Sequence, residues 1–285
     1  MRIAVVGAAG QLAAAVVAEC RAGHEVVTFS RAELDVCDDR AVAAAMDKTR
    51  PEVIVNGAAF NDVDGAEDHP VDALNLNAFA VRALAAAART HRAVLVHYST
   101  DFVFDGRATA PYTEDERPSP RSTYAMSKLL GEWFALDVPG AFVLRVESLF
   151  GRAPDAGPEK GSVAGIVRKL KAGGTPRVFA DRTVTPTYIP DAARATRVLI
   201  ESSAPSGLYH CVNSGTCTWF EFARELAARL GVEPRLEPVR FTDMKLRAPR
   251  PLYSALSNDK LRQAGAEMPS WQDGLRRYVE RLATP

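Results

Sequence analysis

Short runs of β-branched and aliphatic residues alternate, along the first half of the chain, with longer stretches where alanines and charges recur at helical spacing. The pattern predicts strands at Arg2–Val6, Glu25–Phe29, Val53–Asn56, Ala93–Tyr98 and Ala141–Arg145. Between them it predicts helices at Gln11–Arg21, Arg40–Thr49, Pro70–Thr90 and Tyr124–Leu136. Strands this short and this apolar are buried on both faces, so the alternation reads as α/β, a Rossmann-type doubly wound parallel sheet covered by helices. After Gly151 the periodicity loosens. Asp155–Gly161 reads as a Gly/Pro loop, followed by helices at Val163–Lys171, Asp191–Glu201, Trp219–Leu230 and Trp271–Leu282, with a strand near Leu208–Val212. The expected organisation is a dinucleotide-binding domain over 1–150, with 185–212 packing back onto it. Segments 151–184 and 213–285 would form a smaller C-terminal α/β substrate lobe.

Composition narrows the partners. The 285 residues are 47% hydrophobic and 25% charged, an ordinary globular balance. Lys+Arg and Asp+Glu are equal at 35 each, so no basic excess points to nucleic acid. The four cysteines form neither a CxxC pair nor a metal-spaced cluster with histidine, and read as reduced thiols. Arg2 followed by the nearly apolar run Ile3–Ala18 has the outline of a secretory signal, but Gly7 and Gly10 fall where a strand should turn into a helix. No other segment approaches the roughly 20 apolar residues of a membrane span, so a cytoplasmic protein with no membrane partner is expected.

Gly7-Ala8-Ala9-Gly10-Gln11-Leu12-Ala13 follows the first strand directly and opens the first helix. A glycine at a strand end permits a tight turn, and small residues after it let a pyrophosphate approach the amides of a helix N-terminus. The spacing is GxxGxxA rather than GxGxxG, and its position between strand and helix gives it weight. The second strand ends Phe29-Ser30-Arg31, where an acidic residue would otherwise accept from a ribose 2′-hydroxyl. A hydroxyl and a guanidinium suit a 2′-phosphate instead, which favours NADPH. Asp35 and Val36, slightly further on, are placed to flank the adenine.

Tyr124 and Lys128 stand at i and i+4 of a predicted helix, hence on one face. Carbonyl reduction needs a proton donor for the developing alkoxide, and a free phenol, titrating near ~10, is a poor acid at neutral pH. A neighbouring ammonium would lower that value. The strand Val94–Tyr98 runs into Ser99, Thr100 and Asp101 at the carboxyl edge of the sheet, where ligands bind in this fold. Thr100 can there bond a substrate carbonyl or the Tyr124 hydroxyl. Further along, Lys245, Arg247 and Arg250 lie in a Pro-rich segment that reads either as a diphosphate clamp or as a solvated basic loop.

These motifs together resemble the dTDP-4-dehydrorhamnose reductase branch of the extended short-chain dehydrogenase/reductases. The resemblance rests on Gly7–Leu12, Asn56–Ala59 with Val63–Glu67, Leu76–Ala78, Ser99–Gly106, Tyr124–Glu132, Asp181–Thr187 and Arg250-Pro251, and spans essentially the whole chain. It implies NADPH-dependent reduction of the 4-keto group of a nucleotide-linked, dTDP-type 6-deoxyhexose, with NADH often accepted, by Thr100, Tyr124 and Lys128. Cofactor contacts are implied at Gly7, Ala9, Gly10, Gln11, Leu12, Ser30, Arg31, Asp35, Val36, Ala58, Ala59, Asn77 and Ser99, besides the catalytic tyrosine and lysine. Substrate contacts are implied at Thr100, Asp101, Phe102, Glu147, Ser148, Arg182 and Arg250, and a homodimer is compatible with the family.

Two departures stand out. Family members with a magnesium-bridged dimer carry a glutamate where this chain has Ala15, so no such metal site is expected. A tryptophan that packs on the hexose in other members is replaced by Ser148, beside the polar newcomer Glu147, which either faces the sugar or turns outward toward an arginine. Other functions fit less well. A dehydratase would follow the Thr-Asp pair with a glutamate, where Phe102 stands. An epimerase retaining NAD would want an acidic end on the second strand. A non-catalytic cofactor-binding regulatory subunit, a role known for one relative of the family, is disfavoured by the intact Tyr124/Lys128 pair.

Overall fold

Burial on both faces shapes the main sheet. The computed structural model describes residues 1–153 and 159–283. Its strands β1 (Arg2–Val6), β2 (Glu25–Phe29), β3 (Val53–Asn56), β4 (Val94–Thr100), β5 (Phe142–Val146) and β6 (Gly207–His210) form one sheet in the order β6-β5-β4-β3-β1-β2. Every neighbouring pair in it is parallel. The strand order reverses beside β1, which opens a crevice at the carboxyl ends of β1 and β3. β4 runs two residues beyond the expected Tyr98, because Ser99 and Thr100 pair with Arg145 and Val146 of β5. On one face, α1 (Gln11–Cys20) packs with α6 (Ile189–Glu201) in a core that includes Val16, Val17, Ala192 and Leu199. On the other, α2 (Asp39–Thr49), α3 (Ala80–His91) and α4 (Thr123–Leu136) cover β1, β3, β4 and β5.

The helix expected at Pro70–Thr90 is broken in three. Pro70–Leu74 is α-helical, Asn75–Phe79 forms a π-turn, and α3 resumes at Ala80. The wider turn brings the Asn77 carbonyl against α4, where a Cβ on Gly131 would stand only 2.2 Å from it. From Pro70 to His91 the run of 22 residues is long and apolar enough by length and composition to cross a membrane. That corrects the expectation that nothing past the N-terminus approaches this limit. A buried core helix meets the same measure, and more than half of this one is buried, with Val81, Leu84 and Ala88 in the core.

A second core lies in the C-terminal part. α5 (Ser162–Lys171), α7 (Trp219–Arg229) and α8 (Trp271–Ala283) enclose Phe150, Tyr188, Phe222, Trp219 and Trp271, and the rings of Phe150 and Phe222 meet edge on at 5.4 Å. Short two-stranded ladders join Arg177–Phe179 to Glu237–Val239, and Leu149–Phe150 to Thr187–Tyr188. Of the loop expected at Asp155–Gly161, residues 155–158 lie outside the described residues.

Between α4 and β5 sits a buried ion pair. Arg145 donates from Nε and Nη2 to the two oxygens of Glu132, each at 2.8 Å, with its guanidinium over the Phe104 ring at 5.0 Å. Both partners are buried, so removing one leaves an uncompensated charge. Glu132→Ala should therefore lower the unfolding free energy by about 3–5 kcal/mol in denaturant titration. Glu132→Met combined with Arg145→Met should recover much of that. A loss below about 1 kcal/mol in Glu132→Ala would contradict this account of the pair.

Candidate active site

α1 begins at the crevice without a side-chain cap, because Gly10 occupies the N-cap position. Its first amides are left for another acceptor, and they carry the positive end of the helix dipole. Gly7 takes φ +68°, and a Cβ there would meet the Ala58 amide nitrogen at 2.6 Å, so the turns after β1 and β3 cross with no room for a side chain. Ala9–Ala13, Asn56–Ala59, Ser99–Phe102, Tyr124, Lys128 and Ser148 all line one cleft of about 660 Å³. Ser99 Oγ and Asp101 Oδ2 are buried there without a hydrogen-bond partner. A row of uncapped amides, a turn stripped of side chains and two orphaned oxygens fit an elongated polar ligand such as a dinucleotide with its diphosphate on α1.

The catalytic candidates converge on this cleft. Ser122 caps α4 by accepting from the Ala125 amide at 3.2 Å, which sets the register of the helix. Tyr124, Lys128 and Glu132 then form a buried stripe one turn apart. Lys128 Nζ donates to the Tyr98 carbonyl at 2.6 Å. Thr100 donates to Asp101 Oδ1 at 3.1 Å, accepts from the Phe102 amide at 3.2 Å, and lies beside the Tyr124 hydroxyl. The Tyr124 ring lies edge on to Phe102 at 5.7 Å. Burial raises the Tyr124 phenol well above its ordinary range, and Asp101 adds to this while the Thr100 hydroxyl only partly offsets it. The lowering expected from Lys128 is not seen, its ammonium being committed to the Tyr98 carbonyl, and Tyr124 remains a protonated phenol at neutral pH. Burial also brings Lys128 down to about 8, against the pull of Glu132.

Behind the cleft is bracing whose role the sequence reading did not assign. Asn56 donates to His97 Nδ1 at 3.1 Å, and burial with the nearby Lys128 charge holds His97 well below its usual range, as neutral imidazole. Asn77, expected at the cofactor, is instead fully buried and bonded both ways to the Phe60 backbone, at 2.8 and 3.0 Å, and to the Ser127 hydroxyl at 3.0 Å. It holds the segment after β3 in place rather than lining the cleft. A polar residue inside an otherwise apolar helical stripe was the available signal.

Several expected site residues do not line this cleft. Ser30 and Arg31 stand at the open end of β2, with Arg31 exposed. Asp35 is exposed and accepts from the Cys37 amide at 3.0 Å, and Val36 packs in the core beside Leu34 and Val42. Arg250 does not open into the cleft but grips Asp64 with both terminal nitrogens, at 2.9 and 2.7 Å, while Arg247 pairs with Asp68. Arg182 is buried, donates to the Pro251 carbonyl at 3.2 Å and lies over the Phe102 ring at 5.1 Å. Glu147 occupies neither of its two expected places. It is buried behind the cleft wall, accepting from the Thr185 amide at 2.7 Å and from the Ser254 hydroxyl. Ala15 packs in the core under α6.

Residues 1–284 match the family model described as the RmlD substrate binding domain. The chain is 37% identical to a probable dTDP-4,6-dihydroxy-2-methyloxan-3-one 4-ketoreductase of Streptomyces antibioticus, over 97% of this chain and 94% of that protein. It is 33% identical to a dTDP-4-dehydrorhamnose reductase of Sinorhizobium fredii, over 98% and 97% of the two chains. The crystal structure of dTDP-4-dehydrorhamnose reductase from Bacillus anthracis in complex with NADP superposes with a TM-score of 0.91 at 32% identity, covering 98% of this chain and 99% of that one.

The Lys128 environment generates a direct test. In the purified protein without cofactor, the Lys128 ammonium should titrate at about 8, losing its charge as pH rises through that value. Nuclear magnetic resonance of labelled lysine side chains, assigned with Lys128→Met, would report the midpoint. A midpoint in the ordinary range of about 10.4 would mean that the side chain is not desolvated as described.

Proposed function

The chain belongs to the RmlD substrate binding domain family, and from that footing we propose that it reduces the 4-keto group of a dTDP-linked 6-deoxyhexose with NADPH. The carrying observation is that Thr100, Tyr124 and Lys128 meet in the same cleft as the uncapped start of α1. The relatives named above as reductases, and the NADP complex among the solved structures, support the same reading.

The residues from Gly7 to Leu12 would hold the diphosphate, Ala58 and Ala59 the middle of the dinucleotide, and Ser30 with Arg31 the adenosine 2′-phosphate. When bound, NADPH supplies the hydride. What the protein supplies is a proton at the right atom. Tyr124 lines the cleft beside Thr100, where a carbonyl oxygen turning into an alkoxide gains most from a donor. Tyr124, kept protonated by burial, gives its proton to that oxygen. Lys128, fixed on the Tyr98 carbonyl, places a positive charge beside the phenolate that remains. Phe102 stands where elimination chemistry would need a carboxylate, and it backs the tyrosine ring instead. Ser148 lines the cleft wall with a small hydroxyl side chain.

Two measurements follow. Tyr124→Phe should cut turnover of a nucleotide 4-keto-hexose by about two to four orders of magnitude, with cofactor affinity nearly intact. Near-parental turnover would remove Tyr124 from the chemistry. Arg31→Ala should weaken NADPH by roughly ten- to a hundredfold and leave NADH little changed in fluorescence titration. Equal losses for both cofactors would show that Arg31 does not read the 2′-phosphate.

A further inference from the structure

Two carboxyls and a single guanidinium are buried together behind the catalytic trio. Asp101 is 3% exposed, Glu147 2% and Arg182 8%. They come from the end of β4, the residue after β5 and the turn before Thr183–Val184. Arg182 stands 3.7 Å from Asp101 Oδ2, too far for a hydrogen bond, and its Nε is committed to the Pro251 carbonyl. One cation at that distance does not offset two buried carboxylates, so one of the acids keeps its proton.

Hydrogen accounting reaches the same result. Ser254 bonds to Glu147 and lies against Asp101 as well. A serine hydroxyl has one hydrogen and cannot serve two carboxylates. With a proton on Glu147, that acid donates to Ser254 Oγ, and the serine hydrogen is free for Asp101. Burial, first among the causes, raises both acids, Asp101 to about 6 and Glu147 well above its usual range. The other groups facing the pair are the Tyr253 hydroxyl and the Cys217 thiol, both raised and neutral, while Arg250 lies beyond Arg182 on Asp64.

Asp101 also accepts the Thr100 hydroxyl, and Thr100 touches Tyr124. The polar contacts therefore run Tyr124, Thr100, Asp101, Ser254, Glu147. We propose that Asp101 and Glu147 share one proton and that this proton reloads Tyr124 through Thr100 after each reduction, with Glu147 the positioning residue that keeps it there. The proposal rests on the reductase reading above.

Each transfer balances. The Tyr124 O–H bond breaks as its proton joins the alkoxide. Ser254 takes the Glu147 proton on its oxygen as its own hydrogen moves to Asp101; Asp101, now protonated, gives that proton to the Thr100 oxygen as Thr100 passes its hydroxyl hydrogen to the phenolate, leaving two carboxylates beside Arg182. Electron pairs stay on oxygen and nothing is oxidised or reduced. A carboxyl is a stronger acid than a phenol, so the proton moves downhill. The pair regains a proton from water in the cleft, which Asp101 borders.

Infrared spectroscopy of the protein alone tests the shared proton. A protonated-carboxyl band should be present at neutral pH and disappear in Glu147→Gln, and its absence from the parent would overturn the proposal. In turnover, Glu147→Gln should lower kcat by on the order of tenfold at neutral pH and move the alkaline fall in rate to lower pH. KM should stay within about twofold, since Glu147 lies outside the cleft. Glu147→Asp, which still titrates, should recover part of the rate. An unchanged kcat and pH profile in Glu147→Gln overturns the relay. If that variant does not fold, Ser254→Ala breaks the bridge with both acids in place and should give the same losses; parental behaviour there is equally fatal. A parent that shows the band but turns over no nucleotide 4-keto-hexose fails the reductase reading, and the relay with it, while the shared proton stands.

Discussion

A helix that faces a sheet normally offers it aliphatic side chains, whereas α4 offers Tyr124, Lys128 and Glu132 on its inward face. Each polar group taken from water needs a partner of its own. Much of the surrounding structure supplies one. The Tyr98 carbonyl receives Lys128, Arg145 receives Glu132, and Thr100 meets Tyr124. Those partners lie on β4 and β5, which are adjacent and parallel, so the sheet holds all three contacts in one frame. The phenol and the ammonium are perturbed because this stripe is buried, and the same burial fixes them within reach of the cleft.

The sheet and its helices could be read from the sequence because each strand is a continuous apolar run and each helix a periodic one. Strands β1, β2 and β3 begin and end where the pattern puts them. The π-turn at Asn75–Phe79 could not be read in that way, since one added residue in a turn leaves the composition of the helix unchanged. Gly7, Gly10, Thr100, Tyr124 and Lys128 were legible because chemistry ties each to a fixed local position, at a strand end or a helix start.

Residues whose surroundings come from distant segments were less legible. Glu147 follows β5 directly, where alternation should settle which way it points. Ser148, however, takes φ +46°, which breaks the extended path and sends consecutive side chains to places that alternation does not describe. Thr185 and Ser254, which receive Glu147, are remote in sequence. Arg250 looked free to bind an anion because Asp64, which grips it, lies in the loop after β3. Local pattern carries no information about such pairings.

The contact between the π-turn and α4 bears on how this fold can vary. Gly131 has no side chain because the Asn77 carbonyl fills the space where one would begin. Asn77 in turn spends its own side chain on Phe60 and Ser127. The two positions are therefore not independent sites of substitution. A homologue that gains even a methyl group at position 131 must move the turn at 77, and with it the segment after β3 that forms one wall of the cleft. Divergence here proceeds by paired exchange or not at all, and drift at either position alone is closed off by the distance between one carbonyl oxygen and one helix.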